Sequence, residues 1–342
     1  MQAFLAPLEE LADYQEILRD RKKEEGIIQI AGCVNSQKTH LMYALGDGCE
    51  YRVIAFSSEE KAKRAYEEYR FLTEDVYLYP ARDLLFYYAD IKGKVLTGQR
   101  MEVLRALIEK KTGTSLTVIT TMDAFLDGLS APEEIRKRRI CLKSGDEISF
   151  SEFQSRLSAM GYERESQIEG PGQFAVRGGI LDVFPLTEEL PVRIELWGDE
   201  VDSIRSFDVE SQRSVENLEE VVIYPASENC GEEAGTVSFL DYFPKKESLL
   251  FLDEPLRLRE EAEAVETEYF HSRENRDEAG IDLEEEELKV LQTKEIIERM
   301  NAYSGIGFTT LESKCGPFRV RKTYSIQTKG VNPYNNSFEL LT

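Results

Sequence analysis

The chain has 342 residues, 41% hydrophobic and 10% aromatic, enough to bury one large core or two to three ordinary ones. Its longest apolar runs, such as residues 248–252, fall far short of the roughly 20 residues that cross a bilayer. The opening Met1-Gln2-Ala3-Phe4-Leu5 lacks the basic start and apolar stretch of a secretory signal, so a cytoplasmic protein with no membrane partner is expected. A formal net charge of −23, from 65 acidic and 42 basic residues, repels the phosphate backbone that supplies most nonspecific nucleic-acid affinity, which disfavours strong autonomous DNA binding.

Leu5, Leu8, Leu11, Tyr14, Ile17 and Leu18 recur at three- and four-residue steps and predict one helix over the first twenty-odd residues. The period then changes. Residues 26–32 form a short apolar run bounded by glycines, leading through a polar turn into a helical stretch at 40–45. The same alternation follows in strand 52–56, helix 58–72, strand 76–79, helix 99–110 and strand 116–119, which argues for a parallel, doubly wound α/β sheet. Between Pro80 and Thr97 lies a loop rich in aromatics, open to two readings: a stacking platform for bases, or packed loop residues. A short helix over 122–129 precedes Ala131-Pro132, where the character of the chain shifts.

A helix over 151–160 and then strands at 174–177, 180–184 and 192–197 follow, separated by glycine or proline turns. Gly178-Gly179 fits a tight hairpin turn, because both residues accept positive φ. Residues 199–208 alternate apolar and polar, as a half-exposed strand does. After Glu228 the α/β pattern returns with strand 249–252, the acidic pair Asp253-Glu254 and a long acidic helix containing Glu284 to Glu287. The expected fold class is therefore α/β: a degenerate phosphate-loop, helicase-like parallel sheet domain split by an inserted small antiparallel α+β domain. The boundaries fall at 1–130, 131–228 and 229–342. The end, Phe338 to Thr342, has no helix stop or polar tail and implies that the natural chain continues.

Cys33, Cys49, Cys141, Cys230 and Cys315 are scattered without CxxC spacing, and only His40 and His271 could join them, so neither disulfides nor a structural metal is expected. The segment Gly32-Cys33-Val34-Asn35-Ser36-Gln37-Lys38-Thr39 stands after a strand and before a helix, where a GxxxxGKT phosphate loop belongs. Gly32, Lys38 and Thr39 match. Gln37 replaces the glycine that lets consecutive N–H groups turn toward phosphates. Asp253 and Glu254 at the end of a strand supply the acidic half that would hold magnesium. Two half-motifs indicate ancestry from a nucleotide-binding domain, but no arginine finger or water-orienting group is visible, and no catalytic residues are assigned. No cofactor is expected for this chain, and Lys38 in a relic loop would cap or pair locally.

Residues 172–185, with 193–205 and 207–214, resemble the segment shared by the excinuclease component UvrB and the transcription-repair coupling factors. The coupling factors are the closer, because the loop is broken at Gln37 and residues 80–97 are too few for the DNA-clamping hairpin of UvrB. The resemblance implies a module that recruits the damage-recognition protein UvrA through the insert during nucleotide excision repair. It also implies a parent protein whose absent remainder binds RNA polymerase and DNA and uses ATP and magnesium. The family's contact residues fall on Arg177, Arg193 and Trp197, with Arg213 as an addition. Arginine and tryptophan dominate interface energies, and Arg193, Glu195 and Trp197 alternate onto one face of a strand. The open alternative has Trp197 in the insert's core and both arginines in intradomain salt bridges. The rival functions are an active ATP-dependent helicase-like enzyme resembling UvrB and a DNA-binding module built on the aromatic loop around Tyr87 and the basic knot Arg136 to Arg139.

Overall fold

The computed structural model describes residues 5–11, 13–21, 24–82, 90–229, 236–278 and 290–326. The core of the aromatic loop, Tyr87 included, Cys230, the run Glu284 to Glu287 and the end 338–342 lie outside them. In chain order the first part comprises α1 (Tyr14–Asp20), β1 (Gly26–Ala31), α2 (Asn35–Leu45), β2 (Tyr51–Phe56), α3 (Glu59–Arg70), β3 (Val76–Tyr79), α4 (Asp90–Glu109), β4 (Leu116–Thr121) and β5 (Gly128–Ser130). Then follow α5 (Pro132–Arg138), β6 (Ile140–Lys143), α6 (Phe150–Ala159), β7 (Glu163–Glu165), β8 (Gln173–Arg177), β9 (Ile180–Val183), β10 (Val192–Trp197), β11 (Glu200–Phe207), β12 (Ser214–Leu218) and β13 (Glu220–Ile223). The last part holds β14 (Thr236–Ser238), β15 (Ser248–Asp253), α7 (Pro255–Glu278), α8 (Thr293–Met300), β16 (Ser304–Thr309) and β17 (Val320–Ser325).

Seven strands in the order β17-β1-β16-β15-β2-β4-β3 pair parallel throughout. Strands β1, β4 and β15 are buried along their whole length, as a parallel sheet covered on both faces requires. Neighbouring residues point to opposite layers: Val53, Val118 and Leu250 enter one core, while Ile54, Ile119 and Phe251 enter the other. Thus β15 and β16, which come after the antiparallel segment, return to the sheet that β1 and β2 begin.

Several elements differ from their sequence pattern: α4 begins at Asp90, inside the expected loop 80–97, and α2 begins at Asn35 rather than at residue 40. The first helix is broken: a 3-10 turn over Ala6–Glu10 is separated from α1 where Leu11 turns extended at φ −71° and ψ 122°. The break lets Leu8, Tyr14 and Ile17 reach one core cluster. The helix expected over 122–129 is a 3-10 turn, Asp123–Phe125, followed by β5, because Gly128–Ser130 pairs with β14. A tertiary ladder overrides weak local propensity there.

The antiparallel segment is tied at its base by β6 and β13. Its six strands run β12-β11-β10-β9-β8-β7, antiparallel except for β7 with β8. One face packs on α6 through Phe153, Leu157, Leu181, Ile194 and Ile204. The other face carries a small cluster of Ile168, Ala175, Phe184 and Phe207, and is otherwise polar. Of the two turn glycines only Gly178 has positive φ, at 61°. Gly179 is needed for close approach, since a Cβ there would lie 2.9 Å from the Leu196 carbonyl oxygen.

Candidate functional site

The polar face of the antiparallel sheet is built in rows. Arg177 pairs with Ile180, Ile180 with Glu195 and Glu195 with Ser203. The next row runs Ala175, Asp182, Arg193, Arg205 and Asn217. Opposed residues in a ladder share a face, so every one of these side chains lies on the side away from α6. Along β10 burial alternates, and Arg193, Glu195 and Trp197 lie together on that face, as the spacing predicts.

The four sequence-derived contact residues differ in what they do there. Trp197 is 84% exposed, so it does not fill the core. It ends β10 at the turn that begins with Gly198. The Leu196 N–H donates to the Gly179 carbonyl at 2.8 Å, which sets this turn beside the Gly178-Gly179 turn that follows Arg177. The Arg177 side chain is exposed and has no hydrogen-bond or ion-pair partner among the described residues. Arg177 and Trp197 therefore occupy one end of the sheet. Arg213 is exposed at the opposite end, closing the loop between β11 and β12, where its carbonyl accepts from the Asp208 N–H at 3.0 Å.

Arg193 is engaged within the fold, as the alternative reading had it. Its Nε and Nη2 donate to the two oxygens of buried Asp182 at 2.7 and 2.9 Å, and Nη2 also donates to Gln212 Oε1 at 3.1 Å. Its guanidinium lies 4.4 Å from the centroid of the fully buried Phe207 ring. Arg205 is paired with Glu195, which also accepts from Ser203 Oγ at 3.1 Å. The open cations of this face are thus at its two ends, and the middle is internally neutralised.

At the carboxyl edge of the parallel sheet, a cleft of about 550 Å³ holds Lys38, Thr39, Lys61, Asp253 and Glu254. Here α2 begins at Asn35, so Gln37, Lys38 and Thr39 are helical, with the Gln37 N–H donating to the Val34 carbonyl at 3.0 Å. Lys38 Nζ lies 2.6 Å from Asp253 Oδ1 and 2.8 Å from Glu254 Oε1. Thr310 adds its N–H and hydroxyl to the same Glu254 oxygen, at 2.7 and 2.6 Å. Burial works against the Glu254 carboxylate, but the bonds from Lys38 and Thr310 prevail and hold its carboxyl below the ordinary range. Gly32 has φ 89°, and a Cβ there would collide with the Ile326 carbonyl, so its glycine answers to packing against the chain after β17. Lys38, the lysine that would meet a triphosphate, is held here by two carboxylates. Burial pushes the Cys33 and Cys315 thiols up to about 11, which removes them as nucleophiles. Among the described residues no acidic, histidine and cysteine group is arranged to hold a metal ion. No helix among them is long and apolar enough to cross a membrane.

A third cluster was not legible in the sequence. Arg100 and Glu228 are fully buried, with Arg100 Nε donating to Glu228 Oε1 at 2.7 Å and Nη1 donating to the Pro80 carbonyl at 2.8 Å. Asp127 lies 2.7 Å from Arg100, Arg82 donates to Glu228 Oε2 at 2.8 Å, and Arg100 covers the Tyr79 ring at 4.3 Å. Glu228 is where the chain leaves the antiparallel segment, so this network fastens that exit to α4 and the β3 end. The basic knot is partly engaged as well: Arg136 donates to the Ile108 carbonyl at 3.1 Å and Arg139 to the Tyr224 hydroxyl at 3.3 Å.

The two sheets make a mixed α/β chain whose antiparallel sheet has an open, arginine- and tryptophan-bearing face, and residues 140–229, which contain that sheet, match the model of the UvrB interaction domain. The chain is also similar to transcription-repair-coupling factors. It is 39% identical over 155 residues to that of Staphylococcus aureus, 41% over 155 residues to that of Staphylococcus haemolyticus, and 37% over 170 residues to that of Bacillus subtilis. These matches cover 45% of this chain for the first two and 49% for the third, but only 13% to 14% of the relatives' own length. The resemblance carried by residues 172–214 is thereby shown.

Proposed function

We propose that this chain is the recruiting module of a transcription-repair coupling protein, and that the polar face of its antiparallel sheet docks the excinuclease component UvrA in nucleotide excision repair. The observation that carries this reading is Trp197, 84% exposed at the same end of the sheet as the unpaired Arg177. A largely exposed tryptophan next to an uncommitted arginine is costly to leave in water and is the residue pair that anchors interfaces. The two ends of the face, Trp197 and Arg213, are separated by about six residues of strand, roughly 20 Å at ~3.3 Å per residue, a span that fits one side of a standard interface of about 800 Å² per partner. Residues 131–228 act as the docking unit, the α/β residues before and after act as its mount, and contacts with RNA polymerase and DNA belong to the remainder of the parent protein in the cytoplasm. The relic loop supports recruitment over ATP turnover, because Lys38 is committed to Asp253 and Glu254.

The test is the affinity of this chain for purified UvrA. Arg177→Ala combined with Trp197→Ala is expected to weaken it by at least about a hundredfold, the scale of two anchors lost, with unchanged circular dichroism. Wild-type affinity in that folded double variant sinks the assigned surface.

A further inference from the structure

We infer that Gly179 is a positioning residue for docking: it sets where Arg177 stands relative to Trp197, and its lack of a side chain serves the neighbouring strand rather than its own turn. The inference rests on the docking reading above. Arg177 pairs with Ile180, so Gly178 and Gly179 are the two central residues of a tight hairpin turn. Gly178 has φ 61°, whereas Gly179 lies outside the left-handed region. A two-residue turn with positive φ at its first central position alone asks for glycine there and accepts a side chain at the second. The turn therefore does not account for Gly179. Leu196 does. A Cβ at position 179 would lie 2.9 Å from the Leu196 carbonyl oxygen, a main-chain atom that no side-chain rotation moves away. The same two residues are joined by the Leu196 N–H, which donates to the Gly179 carbonyl at 2.8 Å. This bond lies one step beyond the Ile180–Glu195 pair and closes the ladder between β9 and β10.

The two sides of this contact are unequally braced, which decides which of them gives way. On the Trp197 side, Trp197 pairs with Glu200 across its turn, the Ile148 N–H donates to the Asp199 carbonyl at 2.7 Å, and the Val201 N–H donates to the Asp146 carbonyl at 2.9 Å. The Gly178-Gly179 tip is held, beyond the Arg177–Ile180 pair, by the Leu196 bond. A side chain at position 179 would thus lift the tip, and with it Arg177, away from a fixed Trp197. Two anchors held at a set spacing before the partner arrives spare the cost of ordering them on binding, and Gly179 supplies that spacing.

A double-mutant cycle on the affinity for purified UvrA tests this. Gly179→Ala is expected to weaken binding by about tenfold in the wild-type background and by nothing further in the Arg177→Ala background, because a residue acting through another adds nothing once that other is gone. Wild-type affinity in a folded Gly179→Ala overturns the inference. Losses that multiply with Arg177→Ala overturn it as well, since Gly179 would then act through the fold at large or as a contact of its own. Either result leaves the separate losses of Arg177→Ala and Trp197→Ala, and so the docking reading, intact. Should Gly179→Ala not fold, amide hydrogen exchange of the wild-type chain decides. The Leu196 amide is expected to be protected before UvrA is added, and exchange at the rate of an open amide would mean that the two turns are not tied and would overturn the inference. A wild-type chain that fails to bind UvrA sinks the docking reading, and this inference with it.

Discussion

Lys38 Nζ sits 2.6 Å from Asp253 Oδ1, so the lysine after β1 and the carboxylate that ends β15 satisfy each other. Lys38 is 7% and Asp253 4% exposed, and Glu254 beside them accepts from the same ammonium at 2.8 Å. Lys38→Ala leaves Glu254 without its cation and Asp253 with only Lys61, 3.4 Å away, and breaking one partner of a buried pair costs about 3 kcal/mol. The expected result is an unfolding free energy lower by that amount, read as a lower urea midpoint, with ATP and magnesium moving the melting temperature of neither the wild type nor the variant. Stabilisation of the wild type by millimolar ATP would show instead that the ion pair opens to a triphosphate.

The parallel sheet was legible because its strands are short apolar runs bounded by glycine or turn residues and separated by helical periods. Strands buried on both faces announce themselves in this way. The segment from Gly32 to Thr39 was legible in residue type but not in conformation. Gln37 lacks the freedom of the glycine it replaces, and the chain enters α2 at Asn35, which turns Lys38 toward β15. The polar face of the antiparallel sheet was half legible. Alternation puts Arg193, Glu195 and Trp197 on one side of β10, but whether a face is covered depends on what packs over it, and α6 chose the other side. Arg193's partner Asp182 lies on the neighbouring strand and appears only once the register is known. Arg100 and Glu228 are 128 positions apart, and in sequence each reads as one more solvated charge in an acidic chain.

Trp197 is the chain's single tryptophan, which makes its fluorescence a reporter of that end of the antiparallel sheet. At 84% exposure its emission is expected near that of indole in water, and it should shift to shorter wavelength when UvrA covers the face. Trp197→Ala is expected to change folding stability by less than about 0.5 kcal/mol, as exposed substitutions do. It is expected to weaken docking by about 2 kcal/mol or more, as a truncated anchor does. A large stability loss with no loss of affinity would make Trp197 a structural residue.

Duplex DNA gives a different expectation. The chain's charge of −23 opposes phosphate, and Arg136 and Arg139 are turned toward the end of α4 and toward Tyr224. Affinity for a duplex at physiological salt should be no tighter than about 10⁻⁴ M, the weak end of nonspecific binding. Arg136→Ala should leave that value unchanged and lower stability by less than about 1 kcal/mol, the net worth of one exposed-side hydrogen bond. Tight binding that weakens steeply with salt and disappears in this variant would restore a role for the basic knot.

Glu228 carries the pH dependence of the joint between the two sheets. Burial opposes its ionisation, but Arg100 and Arg82 outweigh it and hold the carboxyl below its ordinary value. A carboxyl lowered on folding contributes stability that is complete above its unfolded pKa of about 4.3 and is lost as pH falls through the lower folded value. Neighbouring Asp127 runs the other way: burial pushes its carboxyl up despite Arg100, so its ionisation costs stability as pH rises. Comparing the wild type with Glu228→Gln reads Glu228 together with its coupling to Asp127, whose carboxyl the Glu228 charge helps to push up. The variant keeps the shape but leaves Arg100 and Arg82 short of negative charge, and it is expected to be less stable by about 3 kcal/mol at neutral pH. That gap should narrow steadily below about pH 4 as the wild-type carboxylate takes up its proton. A gap that is the same at about pH 3 as at neutrality would mean that Glu228 is not ionised in the folded chain, and that the network holds by hydrogen bonds alone.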